Sequence, residues 1–191
     1  MIELLGVSVP RSAGGWLLRR VCVRLGHELT VVCSSRADER NAFLDVVAGR
    51  CIPTEGRAWV EGIPVMVTTA RRLQRRVADP TVSAGAPRTV VRPRVPGDIA
   101  GVLRSGHEIL LLRDVDAGPT ADDLRRLVAV VEVLRRVRGI DVVLSVAGLE
   151  CGRSLAGRLI VIEQGRVVLD ATPEDVTNVA DVENRITRST A

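Results

Sequence analysis

The chemistry open to this chain is narrowed first by a side chain it lacks. All 27 basic residues among its 191 are arginine, and none is lysine. That excludes a Schiff-base lysine, a buried lysine general base and any phosphate loop that depends on lysine. Abundant arginine and alanine without lysine is also what a GC-rich coding sequence produces, so composition alone does not make the absence functional. Cysteines 22, 33, 51 and 151 match neither a zinc spacing nor a C-x-x-C pair. Three of them, Cys22, Cys33 and Cys51, lie in or beside apolar runs and are expected to be buried. His27 and His107 stand far apart, outside any triad or metal pattern, and read as surface loop residues; no metal site is expected. Two stretches could meet an anion. The β-branched run Leu29–Cys33, a short polar loop and a helix over Ala37–Ala48 follow the order that opens many phosphate-binding α/β units. Further on, Arg71, Arg72, Arg75, Arg76, Arg88, Arg92 and Arg94 face only two acids, Asp79 and Asp98. That segment could meet a polyanion, although it has no interleaved aromatics on which bases would stack.

The elements that must hold these residues are legible from periodicity. Apolar residues make up 46% and charged residues 26%, a globular balance, and the length suits one domain. Met1–Val9 reads as a strand stopped by Pro10. Trp16–Leu25 alternates, with Val21, Val23 and Leu25 on one face and Arg20, Cys22 and Arg24 on the other. In the helix over 37–48, Phe43, Leu44, Val46 and Val47 face inward and Gly49 is the stop. Gly56–Val60 and Ile63–Val67 flank the turn Glu61-Gly62. Ile109–Leu112 and Asp141–Val146 read as buried strands. Between them a helix over Pro119–Arg138 has Thr120 as cap, Asp122 and Asp123 in its first turn and Arg135, Arg136 and Arg138 in its last. Leu159–Glu163 and Arg166–Asp170 form a hairpin, and a last helix starts at Pro173–Asp175. Residues 70–100, with Pro80, Pro87, Pro93 and Pro96, admit no long helix and read as a basic loop with one helical turn near Arg71–Val77. The fold class is therefore α/β, a single domain over 1–191 built on a mainly parallel sheet with an antiparallel β flap. No run of about 18 apolar residues suggests a membrane span. The acidic start Met1-Ile2-Glu3 predicts no secretory leader.

Several strings resemble the ATP-binding subunit of ABC transporters. Ala48-Gly49 closing the first helix and Pro53-Thr54-Glu55-Gly56-Arg57-Ala58-Trp59-Val60-Glu61-Gly62 are similar to that family's first hairpin. The tail Glu163-Gln164-Gly165-Arg166-Val167-Val168 through Thr172-Pro173-Glu174-Asp175-Val176 is similar to its ending. The resemblance implies a P-loop NTPase, RecA-type fold and locates the chemical motifs. Registering on Ala48-Gly49 puts the phosphate loop at 34–41. Ser34 and Glu39 stand where the glycines belong, Arg40 at the lysine, Asn41 at the metal-binding hydroxyl and Asp38 inside the loop. The strand 109–112 is followed by Arg113 at the metal-supporting carboxylate and Asp114 at the catalytic base. Ala147 falls at the switch histidine and Ala78 at the glutamine of the membrane-facing loop. About thirty Pro-rich residues replace the helical subdomain and its signature string.

Three functions follow as expectations. One is a non-catalytic pseudo-ATPase, structural or regulatory, in a larger complex with an active ABC ATPase or membrane subunit, cytoplasmic or membrane-associated through that partner, with no cofactor. The second is an ATP- and magnesium-binding subunit with unorthodox residues (Arg40, Asn41, Asp114, Asp116), Trp16 stacking the adenine. The third is a polyanion-binding module through the 71–94 arginines. For the first, Arg113 is expected to pair with Asp38 or Glu39 across the former nucleotide site.

Overall fold

The computed structural model describes residues 1–80, 106–117, 120–172 and 174–176. Strands β1 (Ile2–Pro10) and β2 (Trp16–Leu25) form a hairpin. Strand β3 (Thr30–Cys33) then leads into helix α1 (Ala37–Val47). Next come β4 (Glu55–Val60), β5 (Ile63–Pro64), the five-residue helix α2 (Ala70–Gln74) and β6 (Val77–Ala78). The chain continues with β7 (Ile109–Leu112), α3 (Ala121–Arg138), β8 (Asp141–Val146), α4 (Leu149–Leu155), β9 (Arg158–Glu163) and β10 (Arg166–Ala171).

Burial on both faces decides which strands run parallel. Every residue of β3, β7 and β8 is buried, and these continuous apolar runs form the centre of a six-stranded sheet of order β10-β9-β3-β8-β7-β6. Strands β6, β7, β8, β3 and β9 pair in parallel, and β10 returns antiparallel along β9. Their side chains split by the two-residue period of a strand. Val32, Ile109, Leu111, Val143, Ile160 and Ile162 face the core shared with α1 and α2. Val31, Cys33, Leu110, Leu112, Val142, Leu144 and Val146 face the core shared with α3. Phe43, the one phenylalanine, is fully buried on α1.

The antiparallel flap is a second sheet of order β2-β1-β4-β5, covering α1 from the side away from the six-stranded sheet. Gly56, at φ +76, is needed there: a Cβ would meet the Gly6 carbonyl oxygen at 2.3 Å. Helix α3 begins at Ala121 after the Thr120 cap. Thr120 accepts from the Asp123 N–H and Asp123 returns the bond, a reciprocal capping box; Gly139 closes the other end at φ +65.

Three expectations change. The loop over 70–100 begins with two regular elements, because Leu73 anchors α2 in the core and β6 pairs with β7. Cys22 is exposed, since it sits on the solvent face of an alternating strand, while Cys33 is buried and Cys51 and Cys151 are half-buried. Glu174 and Asp175 form a turn. Residues 81–105, Pro173 and the chain after Val176 lie outside the described residues, as do Arg88, Arg92 and Arg94 and the question of what replaces the helical subdomain.

Candidate functional site

The site is built where β3, β7 and β8 end together and α1 begins. Only residues 34–36 separate β3 from α1, so Ala37, Asp38 and Glu39 are already helical. A phosphate loop offers free backbone N–H groups to an anion. Here those of Ser35, Arg36, Glu39 and Arg40 are engaged by the chain itself. The Arg36 N–H donates to Ser34 Oγ at 3.1 Å, and the Glu39 N–H donates to Asp38 Oδ1 at 3.0 Å. The Arg40 N–H donates to the Arg36 carbonyl, and the Ser35 N–H faces the Glu163 carboxylate.

The acids at the loop do not meet Arg113. Asp38 pairs with Arg11 at 2.6 Å, reaching back to the β1–β2 turn. Glu39, its side chain fully buried, accepts from Ser34 Oγ at 3.0 Å and lies 3.6 Å from Arg36 Nε. Burial raises its pKa above the ordinary value, partly countered by Ser34, Arg36 and the Gly165 N–H. The expected pairing of Arg113 with either acid is therefore wrong. Asp38 and Glu39 occupy the first turn of α1 on faces turned away from β7.

What α1 turns toward β7 is Asn41 and, four residues on, Asp45, stacked on one face of the helix. Arg113 reaches both. Its Nη1 donates to Asn41 Oδ1 at 2.8 Å and its Nη2 to Asp45 Oδ1 at 2.7 Å. Its Nε donates to Asp79 Oδ2 at 2.9 Å. Asp79, its side chain fully buried, follows β6 and is also held by Arg50 Nη1 at 2.6 Å, which in turn approaches Asp45 at 3.5 Å. Two arginines and two aspartates thus form a neutral ring. Burial works against the Arg113 charge, yet Asp79 and Asp45 outweigh it and hold the guanidinium above its ordinary pKa.

A second pair lies beside the ring. Arg40 is 5% exposed; its Nε and Nη2 reach Asp114 Oδ1 at 2.9 and 2.7 Å, and its Nη1 donates to the Ser34 carbonyl. Asp114 adopts φ +48, with its N–H on Ser145 Oγ at 2.9 Å. Ala147 presents only its backbone: its N–H and that of Gly148 both donate to Asp116 Oδ2 at 2.9 Å. Next to this cluster burial pushes the Cys33 thiol up to about 12, against the pull of Arg40.

Ser34, Asp38, Glu39, Arg40, Asn41, Arg113, Asp114 and Ala147 are therefore assembled at one end of the sheet. Asp79, Asp45 and Arg50 were missed by sequence reasoning, although the Asn41/Asp45 spacing of four was a usable signal for a shared helix face. Trp16 opens β2 opposite Pro10 at the end of the hairpin. Among the other arginines, Arg71, Arg72 and Arg75 are exposed on and after α2, while Arg76 is tied to Glu108 at 2.7 Å. Among the described residues there is no group of His, Cys, Asp and Glu that could hold a metal.

No family model matches the chain. It is 31% identical over 78 residues to a protein of Geobacter sulfurreducens named as an ABC transporter ATP-binding protein, a match covering 41% of this chain and 28% of that one. The chain thus spans well under a third of the curated relative it matches. Among solved structures, cbiO1 of Clostridium perfringens, part of the ABC transporter complex cbiONQ, superposes at TM-score 0.77 with 15% identity, over 98% of this chain and 94% of that one. The ATP-binding cassette MJ0796, in a dimeric post-hydrolysis state bound to ADP and Pi, superposes at TM-score 0.72 with 14% identity, over 91% and 99%. The fold is that of an ABC ATPase cassette, a P-loop NTPase fold with an added antiparallel sheet. Among the described residues no helix is long and apolar enough to cross a membrane.

Proposed function

We propose that this chain is a non-catalytic member of an ABC-type assembly, a structural or regulatory subunit whose nucleotide site is closed from within. The observation that carries the reading is the position of Arg113. P-loop enzymes hold magnesium between the loop hydroxyl and a carboxylate at the end of the neighbouring strand. In this chain those two places hold Asn41 and Arg113, bonded to each other at 2.8 Å. The cation there is a guanidinium belonging to the protein. A magnesium-bound triphosphate does not fit this donor set. The metal would meet an arginine, and the phosphates would meet Glu39 and a first turn in which the Glu39 and Arg40 N–H groups are already in use.

The remaining catalytic demands point the same way. Hydrolysis needs a polarised water and neutralisation of the transferring phosphoryl. Asp114, at the position of the base, is neutralised by Arg40 at 2.7 Å. Ala147 has no side-chain donor. The cbiO1 complex and the Geobacter relative supply the context for the partner: an active ATPase subunit or a membrane subunit, with this chain on the cytoplasmic side. Titration of the purified protein with Mg-ATP by calorimetry tests the reading. No saturable heat is expected at micromolar nucleotide; micromolar binding at the α1 end of the sheet overturns it.

A further inference from the structure

Away from the closed site, β2 carries a defect with a chemical consequence. Val7 of β1 faces Val21, and Val9 faces Leu18, so β2 spends one residue more than its partner between these pairs. The extra residue is a β-bulge. Arg20 absorbs it at φ +51, the left-handed region that an arginine rarely adopts, with its N–H on Ser8 Oγ at 3.1 Å. Without the bulge, alternation would turn one of two consecutive residues into the core. With it, Leu18 and Val21 stay buried while Arg19 and Arg20 both remain exposed.

A third arginine is brought to the same place by the β9–β10 turn. The Arg19 N–H donates to the Gly165 carbonyl at 2.7 Å. Gly165, at φ +78, lies so close to β2 that a Cβ would meet the Leu17 carbonyl oxygen at 3.1 Å. The next residue is Arg166. Arg19, Arg20 and Arg166, with Cys22 and Val167, line one groove of about 370 Å³. No acid lines it, and among the described residues none of these three arginines forms an ion pair. Three uncompensated guanidiniums converge from two strands, at the expense of backbone strain in one of them.

We propose that this groove is an oxyanion site that takes a phosphoryl group, carried either on a small soluble phosphate or on a phosphorylated peptide. Guanidinium forks match the geometry of phosphate oxygens. The volume falls in the small-molecule range, and the lining selects charge over apolar surface. The same β9–β10 turn also reaches Glu39 through the Gly165 N–H, but no residue lining the groove takes part in the bonds around Arg113 and Arg40, and the inference does not rest on that site being closed.

The full chain is titrated with inorganic pyrophosphate and, separately, with a phosphoserine peptide and its unphosphorylated twin. Saturable binding of pyrophosphate is expected. Arg20→Gln and Arg166→Gln should each weaken it about tenfold, the effect of losing one charged hydrogen bond. Arg71→Gln, an exposed arginine outside the groove, should leave it within about twofold. Cys22 supplies a second readout: its alkylation by an uncharged maleimide, followed by mass spectrometry, should slow when pyrophosphate saturates. If the phosphopeptide binds more tightly than pyrophosphate, and its twin does not bind, the source is a partner protein; the reverse assigns a soluble ligand. Absence of binding by both probes overturns the site. So does equal weakening by Arg71→Gln, or a Cys22 alkylation rate indifferent to whichever of the two probes binds. Nucleotide that binds wild type but not Arg166→Gln belongs to this groove. Nucleotide binding that survives Arg166→Gln but is lost in Arg40→Ala counts against the closed site.

Discussion

Two arginine clusters on this molecule have opposite electrostatics. At the α1 end of the sheet, Arg113, Arg50 and Arg40 are each held by a carboxylate within 3 Å, and Arg113 and Arg40 are buried. In the groove of β2 and β10, Arg19, Arg20 and Arg166 are exposed, with no ion-pair partner among the described residues. The same side chain, abundant because lysine is absent, does opposite things. Paired with buried acids its charge is neutralised inside the protein; unpaired on a strained strand it faces solvent with its hydrogen-bond donors uncommitted to any carboxylate among the described residues. Charge count alone does not distinguish an open cationic groove from a buried ion-pair network. The partners do.

Substitutions can break this contrast, and the largest effect is expected at Arg113. Arg113→Ala leaves the buried Asp79 facing one arginine instead of two, Asp45 with only the more distant Arg50 and Asn41 without its donor, so a loss of about 3–5 kcal/mol is expected in chemical unfolding. A loss below about 1 kcal/mol would mean that the ring is solvated and the site open. Arg40→Ala should cost about 2–4 kcal/mol for the same reason, with the Asp114 side chain 19% exposed and better able to recover than the fully buried Asp79. The groove should respond the other way. Arg20→Asn suits the left-handed backbone and should stabilise by up to about 1 kcal/mol, read as a higher melting temperature, while weakening anion binding. Arg166→Gln should change stability by less than about 0.5 kcal/mol.

A pH series separates the regions further. Glu39 has a folded pKa above its ordinary value of 4.5. The folded state therefore keeps the Glu39 proton longer than the unfolded state as pH rises, and stability falls through the window that starts near 4.5 and ends at the folded value. Glu39→Gln removes this decline, so its advantage over wild type should be absent in acid and appear above that window. A constant difference across the series would mean that Glu39 is ionised in the fold as readily as in the unfolded chain.

Most of the frame was legible in the sequence because its signals are local. The buried runs Ile109–Leu112 and Asp141–Val146, the Thr120 cap and the hairpin turns each rest on a few adjacent residues. The strand, loop and helix around Arg40 and Asn41 were also legible, from the run Leu29–Cys33 and the helical spacing of Phe43, Leu44, Val46 and Val47. The pairing of Arg113 was not. Asp79 lies 34 residues away along the chain and meets Arg113 only because β6 adds beside β7. Nearness in register made Asp38 and Glu39 look like partners, whereas helix rotation selected Asn41 and Asp45. The groove was invisible for a related reason: the Trp16–Leu25 pattern announces a strand, but only the register against β1 reveals a bulge.

The guanidinium between Asn41 and Asp79 has one more consequence. A metal ion or a nucleotide can leave its site, and the contacts it makes leave with it. A ligand moves a conformational equilibrium only by the difference in its affinity for the two states. Arg113 is tethered by its own backbone, so its local concentration never varies and it carries no information about the cell. The proposed closed site therefore predicts that contacts of this chain with a partner are indifferent to the ATP to ADP ratio, a grip of constant strength where a bound nucleotide would make it vary.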